Sequence, residues 1–203
     1  MQTSQPSLPL MEQFLTLQGE GRFSGQLSYF IRLAGCDVGC VWCDVKESWN
    51  ANEHPTVSIS DIAEQAKKSG AKIAVITGGE PLMHDLKELT FALKEQGMRV
   101  HLETSGAHSL SGNFDWICLS PKKFKSPLPE LVLAAHELKV VVYHPSDLKW
   151  AEQYEKLVSN SCLLYLQPEW EKRDAMTPMI IDYIHHHPQW ILSLQSHKYI
   201  NIP

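Results

Sequence analysis

Short apolar runs of strand length alternate with longer polar and amphipathic stretches along most of this chain. The runs are rich in β-branched residues, and several segments between them repeat apolar positions at helical spacing. Ser58 and Asp61 resemble a helix-opening capping box, and Gly70 and Gly97 follow the last residues of two predicted helices. The strands predicted in this way are 28–34, 72–77, 99–103, 116–120, 138–143 and 162–167.

This alternation predicts an α/β fold with a parallel sheet and right-handed crossovers. A chain of 203 residues with six such strands fits an incomplete, open β/α barrel better than the closed eight-stranded form, which needs about 250 residues. We expect one domain over residues 1–203. The flanking segments are predicted as an arm or edge at 1–10, a strand at 11–17, an irregular segment at 46–57, helices at 146–159 and 176–187, and a strand at 190–195.

Unusual polar residues follow the predicted strands, where ligands bind in sheets of this kind. Because the carboxyl ends of parallel strands share one edge, we expect these residues to line one active site. They are a cysteine loop at 35–44, Thr77-Gly78-Gly79-Glu80, Glu103-Thr104-Ser105, Ser120-Pro121-Lys122 and Gln167-Pro168.

Three of the five cysteines, Cys36, Cys40 and Cys43, lie within eight residues of one another in a loop punctuated by glycine. A structural zinc site needs four protein ligands, usually in two pairs, and no second pair is present. Three thiolates on a four-iron cluster leave one iron open for another ligand, so we favour an iron–sulfur cluster. A zinc site remains an alternative, whereas a disulfide is disfavoured by the odd count. Cys118 and Cys162 are predicted core residues.

Charge and composition narrow the function further. A formal net charge of −5 and a pI near 6.0 disfavour direct binding to nucleic acid. No apolar run reaches the roughly 18 residues of a membrane span, and the first residues lack the pattern of a signal peptide. Unpaired cysteines then favour a reducing compartment, and we expect the protein in the cytoplasm.

The CxxxCxxC spacing, with Trp42 before the last cysteine, resembles the radical S-adenosylmethionine superfamily. Gly78-Gly79-Glu80-Pro81 resembles its GGE motif, whose backbone takes the amino group of S-adenosylmethionine. Over nearly the whole chain, a series of motifs resembles the 7-carboxy-7-deazaguanine synthase family. The motifs are 17–21 (LQGEG), 30–36 (FIRLAGC), 42–44 (WCD), 76–81 (ITGGEP), 103–106 (ETSG), 120–122 (SPK) and 195–198 (QSHK).

This resemblance implies a lyase that converts 6-carboxy-5,6,7,8-tetrahydropterin to 7-carboxy-7-deazaguanine and releases ammonia, on the route to queuosine in tRNA. It also implies a homodimer with a [4Fe–4S] cluster, S-adenosylmethionine, Mg²⁺ and a flavodoxin-type reductant. The cluster ligands would be Cys36, Cys40 and Cys43. The residues expected around S-adenosylmethionine are Trp42, Asp44, Gly78, Gly79, Glu80, Ser105, Ser120, Pro121, Lys122, Gln167, Pro168, Glu169 and Trp170. Those expected around the pterin are Leu17, Gln18, Gly19, Arg32, Thr77, Glu103 and Pro203, with Arg32 binding the carboxylate and Pro203 closing the pocket.

Position 45 departs from the family, which usually has a magnesium-binding threonine directly after Cys-Asp. Here the residue is Val45, whose methyl groups cannot replace an oxygen ligand of a hard cation. Asp44, Ser48, backbone carbonyls and water could serve instead, or the dependence on Mg²⁺ could be weaker.

Several alternatives stay open on the sequence. A radical activase that forms a glycyl radical on a partner protein shares the cysteine spacing, and a zinc-stabilised binding module would involve no turnover. Glu80 could cap the following helix rather than face the pocket. The tract at 185–187, three consecutive histidines, is expected to be helix-end surface because adjacent side chains on a helix point in different directions.

Overall fold

The computed structural model describes residues 5–203, which form one nine-stranded sheet flanked by helices. The strands are β1 (Ser7–Leu17), β2 (Leu27–Leu33), β3 (Thr56–Ser58), β4 (Ile73–Gly78), β5 (Arg99–Thr104), β6 (Trp116–Leu119), β7 (Glu137–Val142), β8 (Leu163–Pro168) and β9 (Trp190–Leu192). The helices are α1 (Ile59–Lys68), α2 (Lys87–Glu95), α3 (Pro129–Ala134), α4 (Ser146–Glu155), α5 (Arg173–His186) and α6 (Ser196–Ile200).

The sheet has the order β3-β1-β2-β4-β5-β6-β7-β8-β9. Strands β2 and β4 to β9 run parallel to one another, while β1 pairs antiparallel with β2 and β3. The open sheet confirms the predicted incomplete α/β barrel, and the six predicted strands match the observed ones within one residue at each end. Ser58 also acts as predicted, because its hydroxyl accepts from the backbone N–H of Asp61 at the start of α1.

The sequence reading was wrong at both ends of the chain. Strand β1 begins at Ser7 rather than Met11, and β3 begins in the last two residues of the segment 46–57 that was predicted to be irregular. The register pairs Ser7 with Ser58, so β3 forms the outer edge of the sheet. Near the other end, β9 stops at Leu192, and the unpredicted helix α6 follows. Residues 1–4 of the predicted arm lie outside the described part of the chain.

Alternation along the strands separates a helix-covered core from a polar interior. Successive side chains of a strand point to opposite faces. On β7, Leu138 and Val140 are fully buried in the apolar core, whereas Lys139 and Val141 line a cavity. On β2, Ile31 likewise belongs to the core and Arg32 to the cavity. The sheet therefore places charged residues on its inner face and apolar residues against the helices.

Candidate active site

One cavity of about 600 Å³ lies at the carboxyl ends of the parallel strands. All the predicted site residues line it except Pro121 and Pro168, which are buried beside it. The cavity thus brings together residues spread from position 17 to position 203, as the sequence predicted. It also has lining residues that the sequence analysis did not single out, namely Phe14, Thr16, Trp49, Lys139 and Val141. Other lining residues had appeared there only as members of family motifs, namely Glu20, Phe30, Gln195, His197 and Lys198.

Cys36, Cys40 and Cys43 all line this cavity. Their apolar surroundings include Val38 and Ala107, and Cys40 is buried. Burial raises the pKa of the Cys36 thiol, and it raises that of Cys40 to about 11. Both groups are therefore thiols without a metal, and ligation would release their protons.

Backbone hydrogen bonds hold the cysteine loop in place. Gly35 has φ of +107°, a conformation that favours glycine, and its N–H donates to the carbonyl of Ser48 at 2.7 Å. The N–H of Cys36 donates to the carbonyl of Trp49 at 3.1 Å. The Asp37 side chain, which is not part of the cavity lining, pairs with Lys125 and ties the loop to the segment after β6.

The arrangement of the thiols bears on the metal. Within residues 5–203, no three His, Cys, Asp or Glu side chains lie close enough together to share a single metal ion. In a four-iron cluster each cysteine binds a different iron, so the ligands stand farther apart than those of one ion. Three thiols on one cavity wall fit a cluster with an open iron. Cys118 and Cys162 are buried elsewhere, as predicted.

The Gly78-Gly79 turn packs directly against the cysteine loop. A Cβ atom on Gly78 would lie 2.0 Å from the carbonyl oxygen of Leu33, and one on Gly79 would lie 2.2 Å from that of Gly35. The N–H of Gly79 donates to the Leu33 carbonyl and that of Glu80 donates to the Gly35 carbonyl, at 2.9 and 2.8 Å. Only glycine allows the end of β4 to approach the loop this closely.

Glu80 is almost fully buried, and its carboxylate is occupied by neighbouring protein groups. Oε1 accepts from the N–H of Leu82 and the hydroxyl of Thr104, at 3.1 and 2.5 Å. Oε2 accepts from the N–H and the hydroxyl of Ser105, at 2.8 and 2.5 Å. Glu80 therefore caps a short helical turn, one of the two roles considered for it, and joins the ends of β4 and β5.

An aromatic and cationic wall faces the cavity from β1 and β2. Phe14 and Phe30 are paired in register and their rings stack at 5.6 Å. Arg32 follows on the same face of β2, and its guanidinium lies 5.9 Å from the Phe14 ring. The Nε of Arg32 donates to Glu12 at 2.6 Å, which fixes the guanidinium at the cavity wall. Thr77, opposite Arg32 in the β2–β4 register, lies beside it.

A buried ion-pair network forms the floor. Lys139, whose side chain is only 5% exposed, contacts Glu20 at 2.5 Å and Glu103 at 2.9 Å. Glu103 also accepts from the Gln18 amide at 3.4 Å, and Glu20 accepts from Gln195 at 2.9 Å. Burial opposes the charge on Glu20, but Lys139 outweighs it and lowers the pKa of Glu20 to about 2. Burial also opposes the charge on Lys139, yet the surrounding acidic groups raise its pKa well above the usual value.

The remaining predicted residues lie on the other strand ends. Lys122 donates to the carbonyl and hydroxyl of Ser120 at 2.8 and 2.5 Å, and its ammonium is 5.4 Å from the Trp42 ring. The side-chain oxygen Oε1 of Gln167 accepts from the hydroxyl of Ser193 at 2.8 Å. The cavity lining also includes the remaining predicted residues, which are Asp44, Glu169 and Trp170.

Helix α6 and the residues after it cover the cavity near the β1 end. Ser196 donates its N–H and its hydroxyl to the carbonyl of Gly19, each at 2.9 Å. Thr16 donates its hydroxyl to the carbonyl of Pro203 at 3.0 Å. A Cβ atom on Gly19 would collide with His197, so the missing side chain makes room for that ring. Lys198 forms an ion pair with Asp44 at 2.6 Å.

The histidine tract at 185–187 lies outside the cavity. His185 and His186 are exposed at the end of α5, and the ring of His187 stacks on Tyr183 at 3.9 Å. The histidine tract is thus helix-end surface, as predicted. No helix among residues 5–203 is both long and apolar enough to cross a membrane.

Comparisons with known proteins agree with this geometry. Residues 30–122 match the Radical SAM superfamily model. The chain is 54% identical over 196 residues to the 7-carboxy-7-deazaguanine synthase of Flavobacterium psychrophilum, covering 97% of this chain and 93% of the relative. It is 50% identical over 196 residues to the synthase of that name from Synechocystis, covering 97% and 94%. The crystal structure of QueE from Escherichia coli superposes with a TM-score of 0.85 at 32% identity, covering 94% of this chain and 95% of that one.

Proposed function

Because the chain belongs to the 7-carboxy-7-deazaguanine synthase family of radical S-adenosylmethionine enzymes, we propose that it converts 6-carboxy-5,6,7,8-tetrahydropterin to 7-carboxy-7-deazaguanine and ammonia. Family membership makes the protein a radical lyase of 7-deazapurine biosynthesis, and the superfamily implies a [4Fe–4S] cluster and S-adenosylmethionine. The pterin, and a place on the route to queuosine in tRNA, are the proposed part of this assignment. The observation that carries it is that three cysteine thiols and the Arg32 guanidinium line one cavity.

Cys36, Cys40 and Cys43 would hold the cluster. Their thiols line one cavity, and apolar side chains pack against them. When bound, the cluster and S-adenosylmethionine supply an organic radical that takes a hydrogen atom from the substrate. The protein contributes the position of the substrate and the exclusion of water from that radical.

The wall from the cysteine loop to β8 would hold S-adenosylmethionine. Gly79 supports this role because its carbonyl belongs to a turn held against the loop. Glu80 would act through Ser105, since its own oxygens are occupied by hydrogen bonds. The other proposed residues are Trp42, Asp44, Gly78, Ser120, Lys122, Gln167, Glu169 and Trp170, with Pro121 and Pro168 shaping the backbone behind them.

The opposite part of the cavity would hold the pterin. Arg32 would bind the substrate carboxylate, because a guanidinium can donate to both carboxylate oxygens. Glu103, paired with Lys139, would accept from N–H groups of the ring, and the Gln18 amide would orient the Glu103 carboxylate. Leu17, Gly19, Thr77 and Pro203 would complete the pocket, while the Phe14–Phe30 pair offers an apolar face to a flat ring.

The proposal treats residues 1–203 as one catalytic domain, which the continuous nine-stranded sheet supports. It further includes a homodimer, a flavodoxin-type reductant and no direct contact with nucleic acid or membrane. A cytoplasmic location agrees with five free cysteines, since a reducing compartment keeps such thiols available for the cluster.

An anaerobic assay tests the assignment. The reconstituted protein, S-adenosylmethionine and a chemical reductant are incubated with 6-carboxytetrahydropterin, and products are separated by chromatography and identified by mass. We expect 7-carboxy-7-deazaguanine and ammonia in equal amounts. Cleavage of S-adenosylmethionine without a deazapurine would contradict the assigned reaction and would be the result expected of a glycyl-radical activase.

A further inference from the structure

The donor groups around position 45 do not fit the magnesium site that the family resemblance implies. Mg²⁺ requires oxygen ligands in near-octahedral geometry and gives up its water reluctantly. Val45 lines the cavity with methyl groups only. The nearby hydroxyl of Ser48 is almost fully buried and donates to the Val45 carbonyl at 2.7 Å. This bond engages the hydroxyl proton and one lone pair of the backbone oxygen, so both groups already have a partner within the protein.

Asp44, the remaining acidic candidate, already has a cationic partner. The ammonium of Lys198 lies 2.6 Å from Asp44 Oδ2, and both residues line the cavity. The same ammonium lies 5.3 Å from the centre of the Trp170 ring, so a carboxylate and an aromatic face fix its position. A second cation beside Asp44 would be repelled by this one.

Two further contacts hold Lys198 at this place. Tyr199 packs edge-on against Trp170, with the ring centres 5.1 Å apart, and Ser196 is bonded to Gly19. Helix α6 is thus held on both sides of Lys198. Only 21% of the lysine side chain is exposed, against 58% of the Asp44 side chain, so the lysine is the more enclosed member of the pair.

We propose that Lys198, held against Asp44, supplies the positive charge at this corner of the cavity, so that the chain binds its substrate without a divalent cation. This inference rests on the proposed function, because it concerns the same pterin cavity. Lys198 then complements Arg32: two cations of the cavity face an anionic substrate, and neither must be recruited from solution. Residue 45 needs no oxygen in such a site, which explains why valine is acceptable there.

The first test needs no variant. The reconstituted protein is assayed in EDTA and in excess Mg²⁺, and Mn²⁺ is titrated into the protein with S-adenosylmethionine and pterin while EPR measures unbound Mn²⁺. We expect rates of product formation that agree within about twofold and no saturable Mn²⁺ site. A rate that requires Mg²⁺, together with saturable Mn²⁺ binding, would overturn the inference.

The second test removes the ammonium. In EDTA, Lys198→Met is expected to raise the KM for the pterin about tenfold or more, the usual effect of losing a charged hydrogen-bonding group. Lys46→Met is the matched control, since Lys46 is exposed, close in sequence and absent from the cavity lining. Iron content and thermal unfolding are measured for both variants. An unchanged KM in a folded, iron-loaded Lys198→Met protein would refute the role of Lys198.

A double variant tests whether Lys198 prevents a divalent cation from binding at Asp44. In Val45→Thr/Lys198→Met an oxygen donor returns and Asp44 loses its cation, so we expect Mn²⁺ to bind and Mg²⁺ to increase the rate. If this variant binds no more Mn²⁺ than the starting protein, competition by Lys198 is not the reason for metal independence. Failure of the proposed function is distinct from all of these outcomes, because it would leave every protein without a deazapurine product.

Discussion

The ammonium of Lys139 lies 2.9 Å from Oε2 of Glu103 on the floor of the cavity. The lysine sits in a strand whose other residues are mostly apolar, and the same ammonium also contacts Glu20. The cavity floor is thus a charged cluster of one lysine and two glutamates, on a strand whose other face belongs to the apolar core. Because removing one partner leaves the other buried and uncompensated, the network couples stability to the function of the site.

Lys139→Met therefore has a large expected cost. We predict a loss of about 3–5 kcal/mol in the free energy of unfolding, because two partly buried carboxylates lose their cation. Urea denaturation under anaerobic conditions measures it. Lys68→Met, which removes an exposed pair with Glu64, is the control and should cost well under about 1 kcal/mol. Equal effects in the two variants would contradict the importance assigned to burial.

The low pKa of Glu20 predicts a pH dependence. Its folded pKa of about 2 lies below the ordinary value of 4.5, so its ionised form stabilises the fold above about pH 5. This contribution, on the order of 3 kcal/mol, is lost as the pH falls from about 5 to 2. In Glu20→Gln, unfolding free energy should be lower than in the unchanged protein at pH 7, with the difference shrinking toward pH 2. A difference independent of pH would show that the charge is not responsible.

Because Glu80 is buried among four hydrogen-bond donors, we expect its substitution to destabilise the fold. Glu80→Gln turns one acceptor oxygen into an amide that faces donors from Leu82, Thr104 or Ser105. We expect a loss of about 2–3 kcal/mol in unfolding free energy, as for other charge-assisted bonds. Glu88→Gln, on the exposed side of α2, is the matched control. A Glu80→Gln protein as stable as that control would rule out the bracing role.

The contact of Gly78 with Leu33 predicts that alanine cannot replace it. The added Cβ would collide with backbone atoms, so Gly78→Ala should lose cluster loading, measured as iron per chain, as well as stability. Gly97→Ala separates strain from collision, because φ at Gly97 is +75° but a Cβ there meets nothing within 4 Å. That control should cost about 1 kcal/mol and retain its iron. Normal iron content in Gly78→Ala would contradict the close approach.

Because α6 covers the cavity, we expect its removal to uncouple the cleavage of S-adenosylmethionine from the formation of deazapurine. Deleting residues 196–203 takes away the contacts to Gly19, Thr16 and Asp44 and opens the cavity to water. We expect the iron content to be retained, while the ratio of deazapurine formed to S-adenosylmethionine cleaved falls about tenfold or more. Thr16→Val removes only the bond to Pro203, so its ratio of product to cleaved S-adenosylmethionine should lie between those of the deletion variant and the unchanged protein. An unchanged ratio in the deletion variant would show that this segment does not protect the reaction.

The sequence predicted the strands and the strand-end motifs because both are local signals: runs of apolar residues and short patterns of cysteine and glycine. It did not predict the ion pair of Lys139, whose partners lie 119 and 36 residues away. Pairing between residues so far apart in sequence depends on the order of strands in the sheet, and no single segment of the sequence predicts that order. The Phe14–Phe30 stack was hidden for the same reason, since it needs the register of β1 against β2.

The sequence analysis also failed to predict two short elements, β3 and α6. Strand β3 has three residues and α6 has five, too few to show a period. They are set by tertiary contacts instead: β3 by the edge of β1 and α6 by the bonds to Gly19. The assigned site could thus be located from sequence, but the charges that fix its floor and its cover required the structure.

EPR spectroscopy of the reduced protein before and after addition of S-adenosylmethionine tests the central claim most directly. The account predicts a [4Fe–4S] signal with about four irons per chain that shifts when S-adenosylmethionine binds the open iron, is absent in Cys40→Ala and is retained in Cys162→Ala. A colourless zinc protein, or a cluster signal that S-adenosylmethionine leaves unchanged, would contradict it.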